Sequence, residues 1–271
     1  MQYEIWGGQM PAVTMQLNAG ESVYTQSGGL SWMSDGISME TNMKGGLGKA
    51  LGRMVSGENL FMATYTAQRP GASITFASSM PGEIKVLEIG PGREYIAQKN
   101  AFLCADPGVT ISVAFGRGGV KGAIFGGEGL IMQRYSGQGL VFLELDGAVR
   151  EYDLAPGETL KVDTGNVAAL EASVNYSAEM VKGFSNILFG GEGLFLTTLT
   201  GPGKVWLQTM STAELAARMA EEQGLTYVAP FNDLAVATGQ GYDPSTFISS
   251  FVIANIHEDV IPALTATTAA V

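Results

Sequence analysis

The chain has 271 residues, 46% of them hydrophobic and only 15% charged, which supplies a sizeable core and excludes a chain disordered overall. Its formal net charge of −11 argues against nucleic acid and anionic lipid as partners, because binding to either rests on Lys and Arg neutralising phosphates. The 37 glycines follow no Gly-X-Y period and point to many tight turns between short strands.

The chain opens on MQYEIWGGQM, without the basic and then apolar regions of a signal peptide. No uncharged apolar run approaches the ~20 residues of a membrane span, so the sequence predicts a soluble, cytoplasmic protein. Gly20-Glu21 then begins GESVYTQSGGLSWMSDGISME, which reads as two strands joined by a polar break. After a glycine-rich connector at 44–55 comes SGENLF at 56–61. An apolar run, the glycine turn RPGA at 69–72 and a second apolar run, SITFA, follow. Strand, glycine turn and strand predict a β-hairpin.

The same order returns twice. Gly92-Arg93 and Gly157-Glu158 open the next paired-strand segments, and connectors at 116–125 and 181–189 lead into GGEGLI (126–131) and GGEGLF (190–195). Apolar runs flanking SGQG (136–139) and TGPG (200–203) repeat the hairpin pattern. Glu58, Glu128 and Glu192 lie 70 and 64 residues apart, and Gly20, Gly92 and Gly157 lie 72 and 65 apart. Two landmarks with matching intervals define three internal repeats, at residues 1–80, 81–147 and 148–210. The expected fold is all-β: three small sandwiches in tandem with a pseudo-threefold arrangement, followed by a helix at 211–224 and a tail at 225–271. Ser211 and Glu214 form a capping box for that helix, Leu215 and Met219 lie on its apolar stripe, and Gly224 stops it.

GGEGL followed by a glycine-turn strand pair, closing on VWLQTMS (205–211) and STAELAARMAEEQ, resembles the altered-inheritance-of-mitochondria 24 family over about residues 1–222. The resemblance implies a fold like that of the tryptophan RNA-binding attenuator protein, built of double-stranded β-helix sandwiches. It brings no agreed enzymatic activity and no catalytic residues. That fold relative binds RNA, but this acidic chain places no regular Lys or Arg at matched repeat positions.

Chemical motifs are sparse. GGLGKA at 45–50 fails as a phosphate loop, having Met43 and Ala50 where glycine and Ser or Thr are required. GGEG lacks dinucleotide-binding spacing, no GxSxG elbow occurs, and the single histidine, His257, lies outside the repeats. Cys104, the single cysteine, sits in the apolar phrase AFLCAD and is expected to be buried; Trp32 and Trp206 are expected in core or edge packing. The repeated turn itself, with Gly57, Gly127, Gly129, Gly191 and Gly193 around Glu58, Glu128 and Glu192, reads first as turn chemistry. If the three carboxylates converge, they form a candidate site for a hard cation. The leading functional expectation is a non-enzymatic scaffold or binding protein without a cofactor, forming homo-oligomers and recruiting a protein partner. A loop-borne cation or small-molecule site comes second; an unrecognised hydrolase and an RNA binder follow.

Overall fold

The computed structural model describes residues 1–26, 28–42, 62–115, 131–180 and 195–212, with Leu215, Ala216, Arg218 and Met219. Met1–Ser211 forms one compact unit and Thr212–Val271 a second. Thr212, Leu215, Ala216, Arg218 and Met219 have helical backbone, and the other positions after Ser211 in the helix predicted at 211–224 lie outside the described residues.

The first unit is all-β, as expected. Its first stretch contains β1 (Gln2–Trp6), β2 (Ala12–Leu17), β3 (Ser22–Gln26), β4 (Trp32–Met33), β5 (Ile37–Asn42), β6 (Met62–Ala67) and β7 (Ala72–Ala77). Next come β8 (Gly82–Ile89), β9 (Tyr95–Gln98), β10 (Phe102–Ala105), β11 (Val109–Phe115), β12 (Met132–Gly137) and β13 (Gly139–Asp146). The last stretch holds β14 (Val149–Leu154), β15 (Thr159–Asp163), β16 (Val167–Glu171), β17 (Asn175–Met180), β18 (Phe195–Thr200) and β19 (Gly203–Gln208). Short periods explain many of them. In β6, MATYTA alternates so that Ala63, Tyr65 and Ala67 are buried and their neighbours are not.

Two expectations are corrected. Each landmark segment was expected to give two strands and gives three: β3, β4 and β5, then β9, β10 and β11, then β15, β16 and β17. The middle strand is short and, in FLCA of β10, buried on both faces, so it carries no alternation to reveal it. The glycine turns, moreover, do not close hairpins. β6 pairs with β3 and β5, whereas β7 pairs with β2 and β4, so RPGA carries the chain from one sheet to another. SGQG and TGPG do the same between β12 and β13 and between β18 and β19.

Four antiparallel sheets result: β1-β2-β7-β4, β5-β6-β3-β10-β13-β8, β11-β12-β9-β16-β19-β14 and β15-β18-β17. Adding six to each strand number of the second sheet gives the third. The first and last sheets are the two halves of the same order, with β1 added outside β2.

The cores interlock in the same way. Val13, Met15, Val23, Tyr65, Ile74 and Phe76 pack together, and Leu103, Cys104 and Phe142 from β10 and β13 complete that cluster. Ile89, Tyr135, Val141 and Leu143 form a second core with Tyr24 from upstream and Ala168, Ala169 and Trp206 from downstream. A third gathers Leu154, Val162, Leu170, Leu199 and Val205 with Ile96 and Met132. Middle strands such as β10 and β13 therefore bury both faces, which adds apolar area at about 25 cal/mol per Å² without lengthening the strands.

Candidate functional site

Glu58, Glu128 and Glu192, together with Gly57, Gly127, Gly129, Gly191 and Gly193, lie outside the described residues, as do the three glycine-rich connectors. The strands on either side of those connectors are described. Asn42 faces Met62, Phe115 faces Met132 and Met180 faces Phe195, so each GGEG-type phrase is carried between the ends of an antiparallel pair.

The most distinctive surface lies at the start of the sheet system. Seven of the ten exposed large apolar side chains among the described residues are Tyr3, Ile5, Trp6, Met10, Trp32, Met33 and Met39, on or beside β1, β4 and β5. The Trp6 and Trp32 rings stand 6.1 Å apart at an interplanar angle of 48°. Trp6 is held in place where its indole N–H donates to Thr14 Oγ1 at 2.9 Å, and Thr14 and Thr75 share a hydroxyl hydrogen bond of 2.9 Å. Tyr3 meets the buried Phe142 edge to face, with centroids 5.1 Å apart. Trp6 and Trp32 share the face of the sheet that carries Thr14 and Thr75, whereas Tyr3, Ile5 and Met33 lie on its other face. An exposed, fixed aromatic pair of this kind is a usual mark of a docking surface. Sequence reasoning placed Trp32 in core or edge packing, and it is at the edge, 52% exposed. Trp6, Met33 and Met39 were missed. One signal was available: twelve residues after Gly20, Gly92 and Gly157 stand Trp32, Cys104 and Ala169, large in the first segment and small in the others.

Other polar clusters are internally satisfied. Glu151 on β14 accepts hydrogen bonds from Lys204 Nζ at 2.6 Å, Lys85 Nζ at 3.1 Å and Trp206 Nε1 at 2.7 Å. Chiefly through Lys204, with help from Lys85 and Trp206, its carboxyl is held down from 4.5 to about 2. Lys85 Nζ also lies 5.2 Å from the centre of the Trp206 ring. A shallow open depression of about 260 Å³ near Gly90 and Gly139 is bordered by Arg93, whose guanidinium forks onto Glu88 at 2.9 Å and 2.9 Å. Cys104 is buried as expected, and burial pushes its thiol up, away from the reactive thiolate. Burial also pushes the Tyr24 and Tyr135 hydroxyls up, and Tyr176 to about 12. Among the described residues no three His, Cys, Asp or Glu side chains gather as a metal site, and no helix is long and apolar enough to cross a membrane.

Fold and surface together define an all-β protein of interlocked antiparallel sheets with an exposed aromatic pair on the first of them. The chain belongs to the family described as mitochondrial biogenesis AIM24, which it matches over residues 3–210. It is 30% identical over 219 residues to an uncharacterised protein of Streptococcus pyogenes serotype M6, covering 78% of this chain and 86% of that one. It is also similar to the crystal structure of a Streptococcus pyogenes protein from a structural genomics programme. There the TM-score is 0.66 at 26% identity, over 82% of this chain and 99% of that one.

Proposed function

We propose that the protein is a non-enzymatic, cytoplasmic scaffold that self-associates and presents a binding surface to a protein partner. Its repeats are residues 1–80, 81–147 and 148–210, of the attenuator-like sandwich type, with 211–224 and 225–271 as appendages. One observation carries this reading: the Trp6 and Trp32 aromatic pair is exposed beside β4, which among the described residues pairs with β7 alone. Native mass spectrometry of the purified protein tests it. A defined assembly of two or more chains is expected; a lone monomer at micromolar concentration overturns self-association.

A second reading, a hard-cation site built from Glu58, Glu128 and Glu192, is favoured by the equivalent strand pairs from which their connectors spring. Calcium or magnesium should then raise the melting temperature of the wild type and leave Glu128→Gln unmoved. Equal response, or none, removes this reading.

A further inference from the structure

β4 and β15 are the two halves of a junction that the chain closes twice within itself. In the second sheet β10 lies against β3, with Ala105 facing Tyr24. In the third, β16 lies against β9, with Ala169 facing Ala97, Leu170 facing Ile96 and Glu171 facing Tyr95. Six strands further on in one direction and six back in the other, the corresponding partners are β15 and β4. Among the described residues they are not joined: β4 pairs with β7 alone, and β15 with β18 alone. Each therefore ends its sheet among the described residues, and a strand at a sheet edge is a template for strand addition.

Side chains mark the same open junction. Cys104 and Ala105, and Ala169 and Leu170, are fully buried where β3 and β9 cover them. The corresponding Trp32 and Met33 are 52% and 39% exposed. Charge distinguishes the outer junction from the inner two. Tyr24 and Ile96, which enter the following cores, correspond to the exposed Lys161. Pro107 and Ala172 correspond to Asp35, whose exposed carboxylate lies 3.8 Å from Arg69. Both inner pairs are apolar; the outer pair is oppositely charged.

We infer that β15 of one copy adds to β4 of a second copy, head to tail. The register is that of the inner junctions: Val162 facing Trp32, Lys161 facing Met33 and Leu160 facing Ser34. It rests on the self-association proposed above and supplies its interface. In this register Lys161 and Asp35 are diagonal neighbours, roughly 7–8 Å apart, within reach of a lysine. The lysine stem covers Met33 while its ammonium stays at the rim. Tyr24 sets the precedent for a polar tip here, since its hydroxyl donates to the Val109 carbonyl at 3.0 Å. The contact is heterologous, so copies close into a ring or extend as a filament.

Paired single-cysteine chains test this. Met33→Cys and Lys161→Cys both alter exposed positions, and the buried Cys104 stays silent. After mild oxidation an equimolar mixture should give a disulfide-linked dimer on a non-reducing gel, and neither chain alone should. Three results overturn the inference: no dimer in the mixture, a dimer from Met33→Cys alone, or a double variant that links only within itself. An assembly in the native mass spectrum without the mixed disulfide refutes this junction and leaves self-association standing; a monomer refutes both. Lys161→Asp should weaken assembly severalfold, and Asp35→Lys on that background should restore it. Restoration failing also counts against the register.

Discussion

Glu151 makes a link that no local pattern announces, because its three donors come from β8 and β19. Its folded-state pKa of about 2 lies below the ordinary 4.5. The stability it contributes is therefore present above pH 4.5 and fades as the pH falls toward about 2. These groups are about one-third exposed, so solvent screening reduces the contribution to about 1 kcal/mol. Thermal midpoints should fall more steeply for the wild type than for Glu151→Gln across that window. Parallel curves would show that the carboxylate is not the source. At this scale the sequence was legible where burial follows residue type, as at Cys104 and Trp206. It was illegible where a side chain's fate depends on a distant strand. Trp32 is an aromatic residue like Trp206, yet it stands exposed on β4, which among the described residues pairs with β7 alone.

Strands tell a similar story through their turns. An apolar run, a glycine turn and a second apolar run look alike whether the strands pair or part; the partners that decide lie far along the chain. SGQG illustrates the geometry required. Gly137 has φ +99°, and a Cβ there would strike the Gly108 carbonyl oxygen at the corner between sheets. Gly157 also has a positive φ, +78°, but faces open space. Gly137→Ala should cost on the order of 2 kcal/mol in denaturant unfolding, and Gly157→Ala clearly less. Equal costs would show that backbone conformation alone, and not the close approach, fixes the corner. The middle strands β4, β10 and β16 escaped detection for another reason. They are two to five residues long, and β10 is buried throughout, so neither length nor alternation marks them.

On the scale of the molecule, the many glycine turns between short apolar runs made the all-β class legible. What they could not convey is that sheets are shared across residues 80/81 and 147/148, with β3 joined to β10 and β9 to β16. Repetition in sequence suggests units side by side; the pairing interleaves them. This also explains the unequal ends. The upstream end retains the apolar residues that a covering strand would bury, and the downstream end carries Lys161 where Tyr24 and Ile96 stand inside.

Interleaving sets a schedule for the ribosome. The core around Met15 and Phe76 lacks Phe142, and the core around Tyr135 lacks Trp206, until the following stretch has been synthesised. A nascent chain must carry each of these cores unfinished until the following strands emerge, so synthesis from the N-terminus closes them late and in order.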